Sequence, residues 1–194
     1  MKKNNNKNEL IKIYVDEVLK FNKTHNIIGR QTKEEIIKLD VQDCETILEH
    51  IPSNINILDI GSGAGLPGLI IAISQPQNKV TMSEKNQKKA YFIKKMIRIL
   101  GLKNTQILNT ATTPKQTTQN KFDIITARAL ASAPKIIEIS QHLLTPNGKF
   151  ILMKGVREKI DEEVVHLDNK KYSYTIHRIT TTNQNRNILE ISQK

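Results

Sequence analysis

The stretch INILDIGSGAGLPGLIIAI, residues 55–73, decides the fold of this chain. Its first residues, up to Ile60, are rich in β-branched side chains, which is typical of a strand buried in a parallel sheet. Three closely spaced glycines follow and permit tight turns and the close approach of a ligand to the backbone. The apolar run at 69–73 then begins a helix, with Pro67 suited to its first turn. This order predicts the first βα unit of a nucleotide-binding α/β sheet.

Two classes of cofactor fit this glycine loop. Residues 63–68 match G-x-G-x-x-G, which alone is a weak fingerprint of dinucleotide binding. Asp59, two places before Gly61, favours a different ligand, because a carboxylate there would crowd a pyrophosphate that seeks the N–H groups of a helix N-terminus. The same carboxylate suits the cationic amino acid and sulfonium part of S-adenosylmethionine. The sequence LDIGSGAG also resembles the glycine loop of the Rossmann-like methyltransferases, so S-adenosylmethionine is the expected cofactor.

Two further residues follow predicted strands at the ligand-binding edge of such a sheet. Glu84 ends the strand predicted at 79–83, about 20 residues beyond the glycines, where Rossmann sheets hydrogen-bond a ribose diol. The alternative for Glu84 is a surface acid that caps the next helix. Arg128 comes just after the strand predicted at 122–127, and we expect it to clamp an anion or stack on a base. A structural salt bridge is the alternative for Arg128.

The remaining pattern predicts an N-terminal helical cap, residues 1–52, followed by one Rossmann-like core, residues 53–194. The cap comprises a helix near residues 9–21 and a second helix that starts at the capping-box pair Thr32 and Glu35 and continues to Pro52. In the second helix the apolar side chains, including Ile37, are expected to face inward. A turn at 145–148 precedes a fifth strand at 149–154, and two β-prone segments at 172–180 and 187–192 are expected to complete the sheet edge in antiparallel fashion.

The charge of the chain favours a polyanionic partner. Lysine and arginine total 30 against 19 acidic residues, a net charge of +11, as in many nucleic-acid-binding proteins. Abundant Lys, Asn and Ile are also what AT-rich codon usage produces. The helix predicted at 86–100 lies in a segment that has no acid between Glu84 and Asp123, which favours phosphate contact over a merely solvated face. Its candidate RNA-binding residues are Lys88, Lys89 and Lys95.

Several classes of protein are not expected. No apolar segment reaches the roughly 18 residues of a membrane span, and the N-terminal residues lack the apolar stretch of a secretory signal. Cys44 is the only cysteine, which excludes an internal disulfide and favours a small core residue. The five histidines are scattered and no Cys/His pair has zinc spacing, so no metal site is expected. We expect a cytoplasmic monomer.

Assembled in order, these motifs resemble one family, the bacterial glucose-inhibited division protein B family of small-subunit ribosomal RNA guanine-N7 methyltransferases. The resemblance covers nearly the whole chain. It is carried by FNK at 21–23, DIGSGAGLPG at 59–68, KK at 88–89, RA at 128–129 and KG at 154–155. Two positions depart from the family pattern: residues 39–44 read LDVQDC where the family has Arg-His-x-x-Asp-Ser, and Thr113 stands where the family has an acid.

The resemblance implies ribosomal RNA or the small ribosomal subunit as substrate. To the candidates Asp59, Gly63 and Glu84, the resemblance adds implied cofactor contacts at Gly61, Leu66, Thr112, Thr113 and Arg128. Lys154 is the further candidate for RNA contact. Guanine N7 is an unprotonated nucleophile, so no general base is required and the sequence identifies no catalytic residue. The alternatives are a methyltransferase with another substrate and a non-catalytic RNA-binding or ribosome-assembly protein on the same fold; the intact Asp59 and glycine loop argue against the second.

Overall fold

The computed structural model describes residues 2–115, 121–180 and 185–194. Its strands are β1 (Asn56–Ile60), β2 (Lys79–Ser83), β3 (Thr105–Leu108), β4 (Phe122–Arg128), β5 (Leu144–Lys154), β6 (Tyr172–Ile179) and β7 (Arg186–Gln193). Its α-helices are α1 (Lys2–His25), α2 (Lys33–Ile36), α3 (Gln42–Glu45), α4 (Gly68–Ser74), α5 (Gln87–Ile99), α6 (Ala133–Ser140) and α7 (Arg157–Val164). No described helix combines the length and hydrophobicity needed to traverse a bilayer.

The strands form one sheet in the order β3-β2-β1-β4-β5-β7-β6. Strands β1 to β5 run parallel, while β7 is antiparallel to both β5 and β6. The strand order reverses between β1 and β4, and ligands of such sheets bind outside the carboxyl ends of the strands at this point. The predicted Rossmann-like fold and the antiparallel addition at one edge are therefore confirmed.

Each face of the sheet is covered by helices. One buried cluster joins α6 and α7 to the sheet, and the other joins α4 and α5 to the N-terminal helices. The cluster that includes α4 and α5 also contains three fully buried residues of α1, Tyr14, Val15 and Val18. The Tyr14 hydroxyl also donates a hydrogen bond to the carbonyl of Ala64, at 3.0 Å. Helix α1 is thereby tied directly to the glycine loop.

The second N-terminal helix begins as predicted but does not continue regularly. The capping box of Thr32 and Glu35 is formed. A π-helical turn at Ile37–Val41 then separates α2 from α3, and a 3₁₀ turn at Leu48–His50 ends the segment. The prediction that Ile37 faces inward is wrong, because this residue is 40% exposed. An extra residue in the turn changes the helical phase, and Asp40 and Asp43 become buried instead.

Strand β5 begins earlier than predicted. It starts at Leu144, which pairs with Phe122, and its register against β4 shifts before Lys149 pairs with Ile124. The residues predicted as a turn, 145–148, therefore lie inside an irregular part of the strand.

Candidate cofactor and substrate site

The glycine loop after β1 requires its glycines for two different reasons. Gly61, Gly63 and Gly65 have φ values of 69°, 58° and 91°, a region that side chains with a Cβ rarely adopt. Gly68 has ordinary φ but starts α4 against the sheet: a Cβ there would lie 2.6 Å from Met82 Cγ. The loop conformation and the close packing of α4 on β2 thus both depend on the absence of side chains.

The amides of this loop are largely used within the protein. Gly61 and Ser62 donate to the carbonyl of Ser83 at 2.8 and 3.2 Å. The Gly63 amide donates to Glu84 Oε2 at 2.8 Å. The amides of Gly65 and Leu66 donate to the carbonyl of Ser62 at 2.7 and 2.8 Å. A pyrophosphate needs free N–H groups at this place, so the loop is poorly suited to a dinucleotide. This geometry favours the S-adenosylmethionine alternative.

Asp59 lies under the loop with no exposed surface. Its Oδ2 accepts the Gly68 N–H at 3.0 Å, while Oδ1 has no hydrogen-bond partner among the described residues. Burial raises the pKa of Asp59 to about 6, and the hydrogen bond from Gly68 opposes that shift. An acid held in this way makes the site electronegative and favours a cationic ligand over an anionic one.

Glu84 is also buried, which argues against a merely surface role. Its Oε2 accepts the Gly63 N–H at 2.8 Å and its Oε1 accepts the Asn86 N–H at 2.7 Å. The second bond joins Glu84 to Asn86, whose own side chain caps the start of α5. A carboxylate has about four acceptor positions, so two remain for ribose hydroxyls. Glu84 therefore fixes both the loop and the start of α5 beside the expected ribose position.

The other predicted cofactor residues surround the same loop. Thr112 is buried and donates from Oγ1 to Ser83 Oγ at 3.1 Å, whereas Thr113 is exposed. Leu66 is buried in the core on the α1 side. An added Cβ at Gly63 would meet only the Gly61 carbonyl, at 3.9 Å, so this side of the loop is open to a ligand. The residues present fit S-adenosylmethionine; the end of the polar loop predicted at 111–120, residues 116–120, lies outside the described residues.

Arg128 is held between two carboxylates. Its Nη2 donates to Asp40 Oδ1 at 2.7 Å and its Nη1 donates to Asp43 Oδ2 at 3.2 Å. Asp40 also pairs with Arg30 at 2.9 Å, and Asp43 pairs with Arg186 at 3.2 Å. These five residues alternate in charge and connect the cap, β4 and β7. The salt-bridge alternative for Arg128 is thus present in the structure, and the Arg128 side chain remains 20% exposed.

Beside Arg128, a cavity of about 520 Å³ lies outside the carboxyl ends of β4 and β5. Arg30, Arg128 and Arg186 line it together with Lys154. The Lys154 ammonium donates to the Ala131 carbonyl at 2.9 Å and to Glu163 Oε2 at 2.7 Å. Asp43 and Glu163 also line the cavity, so its wall carries four cations and two acids that hold some of those cations in place. The sequence identified Arg128 and Lys154 but gave no signal for the contributions of Arg30 and Arg186.

The basic residues of helix α5 differ in their exposure to solvent. Lys88, Lys94 and Arg98 are exposed and Lys89 is half-buried, whereas Lys95 donates to Glu17 Oε2 at 2.6 Å. Lys95 is consequently less available to a phosphate than its neighbours. Tyr91, 62% exposed, lies among them and offers an aromatic face.

The sheet order, the glycine loop and the two buried acids define a Rossmann-like S-adenosylmethionine-dependent methyltransferase. Solved structures with this fold include an S-adenosylmethionine-dependent methyltransferase from Aquifex aeolicus, with a TM-score of 0.62, 17% identity, and coverage of 82% of this chain and 92% of that one. Another is TYW2 from M. jannaschii in complex with AdoMet, with a TM-score of 0.59, 16% identity and coverage of 79% and 74%.

Within this class, the chain belongs to the GidB family, rRNA small subunit methyltransferase G, which matches residues 7–191. Ribosomal RNA small subunit methyltransferase G of Psychrobacter arcticus is 34% identical over 182 residues, 94% of this chain and 75% of that protein. The protein of the same name from Brachyspira hyodysenteriae is 34% identical over 191 residues, 96% of this chain and 91% of that protein. The resemblance found in the sequence is confirmed.

Proposed function

We propose that this protein transfers a methyl group from S-adenosylmethionine to N7 of a guanine in small-subunit ribosomal RNA. The observation that carries the proposal is the glycine loop, whose amides are used internally and whose two flanking acids, Asp59 and Glu84, favour a cationic nucleoside. Membership of a family of rRNA small subunit methyltransferases supports the class of substrate.

The cofactor would lie along the open side of Gly63. Glu84 would accept the ribose hydroxyls, and Asp59 would favour the cationic end of the ligand. Gly61, Leu66, Thr112 and Thr113 would complete its surroundings, as the family resemblance implies. When bound, S-adenosylmethionine supplies an electrophilic methyl group on its sulfonium centre. The protein contributes binding and orientation rather than acid–base chemistry.

The cavity beside Arg128 would receive the target nucleotide. Guanine N7 carries no proton, so no residue has to remove one. Neither histidine nor cysteine is among the described residues that line the cavity. Holding the base in a fixed orientation in a site that excludes water can supply much of the rate enhancement. Lys154 and the three arginines would neutralise the phosphates that enter with the base.

A methyl-transfer assay tests the proposal. Small ribosomal subunits and protein-free 16S ribosomal RNA, both from cells lacking this gene, are incubated with the protein and S-adenosylmethionine labelled in its methyl group. We expect label in one of the two substrates, and mass spectrometry of digested RNA should locate it in 7-methylguanosine. Label in another nucleoside would overturn the guanine-N7 assignment, and RNA binding without transfer would favour the non-catalytic alternative.

The variant Glu84→Gln tests the cofactor site in the same assay. Replacing a charged acceptor should weaken S-adenosylhomocysteine binding by about 1.5–3 kcal/mol, the scale of a hydrogen bond to a charged group. Calorimetry measures this binding, with NAD as a ligand that should give no heat. The matched control is Glu158→Gln, which changes an exposed acid at the start of α7. Equal affinities for the two variants would remove Glu84 from the cofactor site.

A further inference from the structure

Two histidines and a glutamate that are distant in sequence meet on the face of the sheet covered by the cap. His50 ends the 3₁₀ turn Leu48–His50, His177 lies on β6 and Glu190 lies on β7. One ligand atom from each residue lies within 4.8 Å of the other two. The imidazole rings have their centroids 4.5 Å apart, and His177 Nε2 is 3.6 Å from Glu190 Oε2.

Both histidines carry an unsatisfied nitrogen, and that of His50 also lies 3.6 Å from Oε1 of the exposed Glu49. The Nε2 atoms of His50 and His177 are buried and have no hydrogen-bond partner among the described residues. A buried polar atom without a partner costs free energy, and each case in a native structure requires a physical explanation. The 3.6 Å separation of His177 and Glu190 is too long for a hydrogen bond. Hydrogen bonding within the cluster therefore does not explain these atoms.

We infer that His50, His177 and Glu190 form a binding site for a divalent transition metal ion of the zinc type. Two imidazole nitrogens and one carboxylate oxygen are a common zinc ligand set, with water in the fourth position. Metal–ligand bonds of about 2.0–2.2 Å place tetrahedral donors roughly 3.3–3.6 Å apart, close to the His177–Glu190 separation.

The surroundings prepare these groups for a metal. Lys149 Nζ donates to Glu190 Oε1 at 2.9 Å, which fixes the carboxylate and leaves Oε2 directed toward His177.

A metal at this position would connect the cap to the last two strands. His50 belongs to the segment that also supplies Asp40 and Asp43, whereas His177 and Glu190 belong to the β6–β7 hairpin. A metal ion that binds only the folded state would stabilise this junction, by an amount that grows with metal concentration. The spacing of histidines along the chain did not predict this site, because His50 lies more than a hundred residues before His177 and Glu190 and only the fold brings it to them.

The site is tested with protein purified without a polyhistidine tag. Calorimetric titration with Zn²⁺ should show one equivalent bound, and Co²⁺ should give the visible absorption of a tetrahedral complex. The variant His177→Gln should lower Zn²⁺ affinity by roughly tenfold or more, since even outer-shell partners of metal ligands account for 10–100-fold. The matched control, His166→Gln, removes an exposed histidine after α7 and should leave binding unchanged.

A second measurement separates loss of binding from loss of folding. Zn²⁺ should raise the melting temperature of the wild type and of His166→Gln, but not that of His177→Gln or Glu190→Gln. Circular dichroism establishes that each variant is folded before titration. Absence of Zn²⁺ binding by the folded wild type, or equal affinities for the wild type and both cluster variants, would overturn the inference.

Discussion

At the residue scale, Asp59 makes stability and ligand binding depend on pH. Its pKa is about 6 in the folded protein, against 3.8 for an unperturbed aspartate. Between these values the folded state binds more protons than the unfolded state, so stability falls as pH rises and the loss is complete above about pH 6. The difference between the two pKa values corresponds to roughly 3 kcal/mol of folding stability over the whole pH range.

We therefore predict that Asp59→Asn removes this pH dependence. Urea denaturation at about pH 5 and about pH 7 should show the wild type losing about 1–1.5 kcal/mol relative to Asp59→Asn on raising the pH, because only part of the full shift lies between these pH values. Asp161→Asn, at an exposed position of α7, should follow the wild type. Affinity for S-adenosylhomocysteine should also weaken as pH falls below about 6 in the wild type, because protonation removes the charge. Parallel pH profiles for wild type and Asp59→Asn would refute the assignment.

The positions of the two acids beside the glycine loop could be predicted from the sequence, but their hydrogen-bond partners could not. Asp59 and Glu84 were identified from their positions at the ends of predicted strands. Neither Oε atom of Glu84 was expected to bind the amide of Gly63 or Asn86. Such contacts depend on the turn conformation of the loop, and spacing along the chain does not determine that conformation.

At the element scale, the π-helical turn Ile37–Val41 produces the charged network around Arg128. It brings Asp40 and Asp43 inward, where Asp40 is only 1% exposed. A regular helix through this segment was predicted, with Ile37 inside. The hydrophobic pattern could not reveal the change of phase, because charged residues are ordinarily assigned to the surface. Their burial becomes understandable only with Arg128, which comes from a strand 85 residues beyond Asp43.

The network predicts a large cost for removing its central cation. Arg128→Met should destabilise the fold by as much as about 3 kcal/mol, because two buried carboxylates lose their shared partner and each retains a single arginine, Arg30 or Arg186. Arg157→Met removes an exposed i,i+4 pair with Asp161 and should cost no more than about 1 kcal/mol. Guanidinium denaturation measures both. In the double variant Arg128→Met/Asp40→Asn, part of the loss should be recovered; equal small losses for the two single variants would show that the network contributes little.

At the scale of the whole molecule, the alternation of strands and helices was sufficient to predict the fold. Each parallel strand of the core has a crossover before the next, and such connections allow few arrangements. The cavity, the five-residue charged network and the cluster of His50, His177 and Glu190 were not predictable in this way. Each combines residues from segments far apart in the chain, and no local pattern marks them.

The net charge of +11 belongs to the whole chain, and its distribution decides how RNA binds. If codon usage alone explained the abundant lysines, they would be spread over the surface. An RNA-binding surface would instead gather exposed lysines and arginines on one face. Helix α5 provides exposed Lys88 and Lys94 beside exposed Tyr91. Bases can stack on an exposed aromatic ring, and lysines can neutralise the adjoining phosphates. Lys95 contributes less to this surface, since Glu17 already pairs with it.

The salt dependence of RNA binding distinguishes these alternatives. Each phosphate contact adds roughly 0.7–0.9 to the slope of log affinity against log salt, so Lys88→Gln/Lys94→Gln should make the slope shallower by about one to two units. The control Lys159→Gln/Lys170→Gln removes the same charge from exposed positions in and beyond α7. It should preserve the slope, because only cations that release counterions at the interface contribute to it. Binding of S-adenosylhomocysteine should be unchanged in both. Equal slopes for the two double variants would mean that α5 is merely solvated and that RNA docks on another face.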